Sequence, residues 1–90
     1  MGTALVIIKI MPESPKSDLE KIQKEAKQIV EKNNGKKPLT KIEPVAFGLN
    51  AILLNFAIDE SLSMDNIENP LKKIKGVSSA EVIDFRRAFG

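Results

Sequence analysis

Any chemistry in this chain has to run on lysine, arginine, aspartate or glutamate, because the sequence holds no Cys and no His. That removes thiolate nucleophiles, imidazole bases, disulfides and Cys/His metal centres together. Three groupings remain that could act on something else. In the stretch PVAFGL, Pro44 to Leu49, Phe47 stands beside Gly48, whose freedom to take positive φ lets the backbone reverse and leaves the ring at the tip. Such a ring is either folded back onto its own hairpin or offered to a partner. Near the other terminus, Phe85, Arg86, Arg87 and Phe89 gather two charges and two aromatics, of which the two arginines alone read as a solvated terminus. The adjacent acids Asp59 and Glu60 have the charge to hold a cation, although such pairs at the end of a strand usually mark a turn. There is no P-loop, dinucleotide glycine fingerprint, EF-hand loop or serine elbow. No catalytic residue, metal ligand or cofactor is therefore expected, and the chain does not read as an enzyme.

The elements that position these groups follow from periodicity. Ala4, Val6, Ile8 and Ile10 alternate with Leu5, Ile7, Lys9 and Met11, which predicts a strand over residues 3–11 with one fully apolar face. Pro12 and Pro15 end it. Ser17 with Glu20 matches a capping box, and Leu19, Ile22, Ala26, Ile29 and Val30 recur at helical spacing until Asn33-Asn34-Gly35. The lysines and glutamates between them read as the solvated side of that helix. Residues 39–45 predict a weaker second strand, with Pro44 implying an edge or a bulge. Residues 49–58, almost wholly apolar, predict a central third strand. Met64, Ile67, Leu71 and Ile74 mark a second helical face, with Ser63 a candidate cap and Gly76 a candidate stop; Pro70 either kinks this helix or opens a shorter one after Asn69. A fourth strand is predicted over 77–85, with residues 86–90 as a tail.

Strand, helix, strand, strand, helix, strand is the split βαβ arrangement. It predicts an α+β fold of ferredoxin-like type: a βαββαβ sandwich whose four-stranded antiparallel sheet, in the order four, one, three, two, carries two helices on one face. Topology then places the Phe47 turn and the C-terminal tail at opposite ends of the sheet, roughly 30 Å apart for strands of about ten residues. Sites at both ends would need a large partner.

Ninety residues predict a single domain spanning 1–90. Hydrophobic content of 42% and charged content of 29% are ordinary for a globular protein, and the longest apolar run is shorter than the ~20 residues of a membrane span. The N-terminus does not read as a secretory signal, because Lys9 interrupts its apolar run, so a cytoplasmic protein with no membrane partner is expected. A net charge of +2 lacks the dense single-sign field of a nucleic-acid binder. Direct RNA binding would also need aromatics on both central strands, and the first has none while Phe56 is alone in the third. A small ligand-binding or dimerising regulatory domain remains open, since Leu5, Ile7, Ala51 and Leu53 would share the uncovered side of the sheet.

Three stretches in register, IKIMPESP at 8–15, PVAFGL at 44–49 and GVSSAEVIDFRR at 76–87, resemble the small archaeal form of the translation elongation factor 1-beta family over nearly the whole chain. The resemblance implies the fold derived above and a guanine-nucleotide exchange factor acting on the GTPase elongation factor 1-alpha, promoting GDP release and GTP reloading during protein synthesis. In the eukaryotic relatives a Lys near the C-terminus is implicated at the magnesium site, and an aromatic in the equivalent of the PVAFGL turn belongs to a second contact region. Phe47 matches the aromatic. No Lys follows Lys75, so the invading group at the other end is open among Arg86, Arg87 and their neighbours. By the resemblance, the partner-binding residues are Pro44, Phe47, Gly48, Phe85, Arg86, Arg87 and Phe89.

Overall fold

A computed structural model describes residues 2–88. The elements run β1 (Thr3–Pro12), α1 (Leu19–Lys32), β2 (Lys36–Pro44), a single 3₁₀ turn (Ala46–Gly48), β3 (Asn50–Asp59), α2 (Asp65–Lys72) and β4 (Val77–Ala88). The sheet order is β2-β3-β1-β4 with every neighbouring pair antiparallel, which is the ferredoxin-like α+β arrangement expected. Helix α1 lies over β2 and β3, α2 lies over β4, and the two helices touch each other.

The core is the alternating set that the strand and helix periods single out. Ala4, Val6, Ile8 and Ile10 of β1 and Ile52, Leu54, Phe56 and Ile58 of β3 are all buried beneath Ile22, Ala26 and Val30 of α1 and Ile67 and Leu71 of α2. Phe56 therefore belongs to the core, so neither central strand offers an aromatic to a base stack. Among the described residues no polar or charged group is buried, and the fold is held by apolar burial and the ladder. No helix among them is long and apolar enough to cross a membrane.

Several boundaries differ from expectation. The N-cap of α1 is Asp18, not Ser17: Asp18 is extended (φ −77°, ψ 92°), and its carboxylate accepts the Lys21 backbone N–H at 3.1 Å. Ser17 is engaged elsewhere, its hydroxyl donating to the Gly76 carbonyl at 3.3 Å and accepting from the Ser14 N–H at 3.3 Å. The other end of α1 stops where expected, with Asn34 left-handed (φ 68°), and the missing Cβ of Gly35 makes room for the Val30 side chain. Strand β2 begins at Lys36, ahead of a register shift between Lys36 and Leu39, and stops at Pro44. It is the edge strand that its prolines imply, since Pro38 and Pro44 have no N–H to leave unpaired. The N-cap of α2 is Met64, already helical (φ −70°, ψ −20°) and with no side-chain cap bond, rather than Ser63, whose hydroxyl one residue earlier accepts the Asp65 N–H at 3.2 Å; Pro70 lies within the helix rather than at its start. The helix stops at Lys72, with Lys73 as its C-cap, ahead of Gly76 (φ 92°), which is instead the left-handed residue of the turn leading into β4.

The largest departure is β4, which runs on through Arg86 and Arg87 to Ala88 instead of ending at Phe85. Its partner decides this, because β1 presents its ladder all the way to Thr3, which pairs with Ala88. Phe89 lies outside the described residues.

Candidate functional site

The molecule is elongated, 41 × 21 × 18 Å, and its candidate groups occupy the two ends of the long axis. β1 and β2 both run toward the end that carries Phe47, while β4 returns to the opposite end with Arg86 and Arg87 level with Leu5 and Ala4. Eight steps of ladder from Ala4 to Pro12, with the turn beyond it, put about 30 Å between the arginines and Phe47.

At the first end the hairpin from β2 to β3 closes through residues 45–49. The Val45 N–H donates to the Leu49 carbonyl at 2.8 Å, and the Leu49 N–H donates to the Ala46 carbonyl at 3.3 Å. These two bonds frame a turn in which Phe47 itself is left-handed (φ 63°, ψ 30°) and Gly48 follows at φ 74°. The sequence suggests Gly48 as the residue that bends; the structure divides the reversal between the two. A non-glycine residue in that region costs about 1–2 kcal/mol, so the ring is held out at a conformational expense. It stays 93% exposed, so it is not folded back onto the hairpin. Nothing lies within 4 Å of where a Cβ on Gly48 would stand, so that side of the tip is open as well. Pro44, at the last position of β2 opposite Asn50, fixes the strand's exit into this turn.

At the second end β1 begins and β3 and β4 finish. The Arg86 guanidinium meets the Asp84 carboxylate at 3.0 Å, and that of Arg87 meets Glu60 at 3.4 Å. Glu60 is tied to the start of β1, its N–H donating to the Gly2 carbonyl at 3.1 Å. Both arginine side chains remain more than three-quarters exposed, so each pair contributes at most about 1 kcal/mol and leaves its cation accessible. Phe85 is 41% exposed beside them.

The acids that sequence offered as a cation site are otherwise occupied. The Asp59 carboxyl is held below its ordinary pKa, first by the Ser61 backbone N–H at 2.9 Å and then by the Ser61 hydroxyl at 2.7 Å. Glu60 serves Arg87. Among the described residues no group of three or more Asp, Glu, His or Cys converges on a point. Sequence reasoning missed these two carboxylates as partners of the second end; the adjacency of Asp84 to the arginines in chain was the available signal for one, and nothing local signalled Glu60.

Comparison with known proteins gives a consistent result. The sequence matches the family described as the EF-1 guanine nucleotide exchange domain over residues 5–88. Among proteins named elongation factor 1-beta, that of Methanothermobacter thermautotrophicus is 40% identical over 90 residues, covering 97% of this chain and 98% of its own. The protein from Methanocorpusculum labreanum is 39% identical, with the same shares covered. That from Methanococcus maripaludis strain C6 is 35% identical over 93% of this chain and 96% of its own.

Proposed function

This chain belongs to the EF-1 guanine nucleotide exchange domain family, and from that premise we propose how its two ends work on the GTPase elongation factor 1-alpha. Its function is guanine-nucleotide exchange in translation, and the regulatory-domain alternative is not favoured by a family match spanning both ends of the fold. An exchange factor makes and breaks no covalent bond. It accelerates release by binding the GTPase more tightly when the nucleotide site is disrupted than when it is intact, because only such a difference shifts the equilibrium.

Phe47 anchors one end on a domain of the GTPase away from its nucleotide, and the end bearing Phe85, Arg86 and Arg87 approaches the nucleotide and its magnesium ion. The observation that carries this reading is the 93% exposed Phe47, fixed in a left-handed turn about 30 Å from the arginines. A tip of this kind loses little freedom on docking. An arginine at the second end suits the task left without a lysine, since its planar fork pairs with phosphate or carboxylate oxygens and it stays charged at any working pH. Competing for those oxygens weakens the hold of the ion and the phosphate-binding loop on the nucleotide. We place this activity in the cytoplasm with no membrane or direct nucleic-acid contact.

The test is the rate at which fluorescent GDP leaves the matching elongation factor 1-alpha, with and without this protein. Acceleration that Phe47→Ala weakens through affinity, and that loss of both arginines weakens at saturation, supports the two-ended grip. No acceleration by the intact chain rejects it.

A further inference from the structure

The strand ladder separates the two arginines onto opposite sides of the sheet. Ala80 and Val82 of β4 face Ile10 and Ile8, on the side covered by the helices. The register then shifts: Ile7 pairs with Asp84 and Ile8 with Val82, leaving Ile83 as the extra residue of a β-bulge. Beyond it the alternation has changed phase. Asp84 and Arg86, opposite Ile7 and Leu5, lie on the open side, while Phe85 and Arg87, opposite Val6 and Ala4, lie on the helix side.

Those sides are chemically unlike. Each arginine has a carboxylate beside it, but Arg86 meets Asp84 of its own strand on the open side, whereas Arg87 on the helix side reaches Glu60 beyond the end of β3, and the outward face of α1 is charged and solvated. The open side carries Leu5, Ile7, Leu39, Leu53 and Ala57 grouped around the single Asn55, with Leu5 51% and Leu39 64% exposed. Lys37 and the Arg86–Asp84 pair flank a shallow depression among them. A partner that holds both ends of a 41 Å molecule has to pass along one of its long sides. We infer that the open face of the sheet lies against the GTPase in the exchange complex, and that Arg86, not Arg87, is the arginine delivered to the nucleotide site. This rests on the two-ended reading above. It adds a side to that reading, a contact surface continuous from the Phe47 turn to Arg86, and a division of labour in which Arg87 closes the end of the fold through Glu60.

The experiment titrates fluorescent-GDP release from elongation factor 1-alpha with the full chain and with Arg86→Ala, Arg86→Lys, Arg87→Ala, Leu39→Glu and the helix-face control Lys24→Glu, each checked by thermal melting. Arg86→Ala is expected to lower the maximal rate by about tenfold or more, with partial recovery in Arg86→Lys, and to exceed the loss in Arg87→Ala severalfold. Leu39→Glu is expected to raise the half-saturating concentration by about tenfold with its melting unchanged, and Lys24→Glu to leave it alone. An Arg87→Ala loss equal to or larger than that of Arg86→Ala overturns the assignment of the arginine. Normal titration by Leu39→Glu overturns the assignment of the face, as does sedimentation showing that the wild-type open face pairs two copies which Leu39→Glu separates. Wild-type protein that accelerates nothing rejects the two-ended reading itself, a result distinct from either.

Discussion

Replacing Phe47 separates stability from binding more cleanly than any other change in the molecule. In the free protein the ring is 93% exposed, so truncating it to alanine removes almost no burial, and the left-handed φ of 63° is equally unfavourable for either side chain. Phe47→Ala should thus melt within about 3 °C of the parent, corresponding to about 0.5 kcal/mol or less at this chain length. Phe47→Gly relieves the left-handed penalty of about 1–2 kcal/mol while adding freedom to the unfolded chain, so it should melt at or slightly above the parent temperature. On the GTPase the balance reverses. Fully burying a phenylalanine is worth about 1.5–3 kcal/mol, and a loss near 2 kcal/mol raises the half-saturating concentration for GDP release by about thirtyfold. The maximal rate should change little, because the anchor is remote from the nucleotide. Both variants should share the affinity defect although neither lowers the melting temperature appreciably. A half-saturating concentration within twofold of the parent would refute the anchor; a melting temperature lowered by ten degrees or more would show that the ring is packed in solution.

Other expectations test the architecture beneath the site. Ile8→Ala empties a fully buried position at the centre of β1 and should cost about 3 kcal/mol in urea denaturation, with the slope unchanged. Asp18→Ala should destabilise by about 1 kcal/mol, whereas Ser17→Ala leaves the cap of α1 intact; equal loss of α1 amide protection in the two would disprove the cap assignment. Asp59 has its pKa lowered in the fold, so its contribution to stability is present above the unfolded value and is lost as pH falls through the folded one. Ser61→Ala should therefore move the Asp59 carboxyl midpoint upward in an NMR titration, and an unmoved midpoint would deny Ser61 its role. Gly48→Ala meets open space and only the strain of φ 74°, so it should cost about 1–2 kcal/mol and leave the hairpin formed by amide exchange.

Much of this molecule could be read from local periodicity. The alternation through Ala4, Val6, Ile8 and Ile10 and the spacing of Ile22, Ala26 and Val30 name the element types and the buried sets, because a period of two or of 3.6 is backbone geometry that no neighbour has to supply. The order of elements then restricts the sheet to few topologies, and those place Phe47 and the arginines at opposite ends. What the tertiary structure alone decided has partners distant in the chain. Ser17 is removed from capping by the Gly76 carbonyl, β4 is drawn out to Ala88 by the ladder β1 offers, and Glu60 finds Arg87 only once β3 and β4 finish together. The bulge at Ile83 belongs to the same class. Its only trace in the hydrophobic pattern is the step from Ala80 and Val82 to the adjacent Ile83 and then Phe85, yet by adding one residue to one strand it reverses the side on which every later side chain falls, and so sets which arginine a partner on the open face would meet.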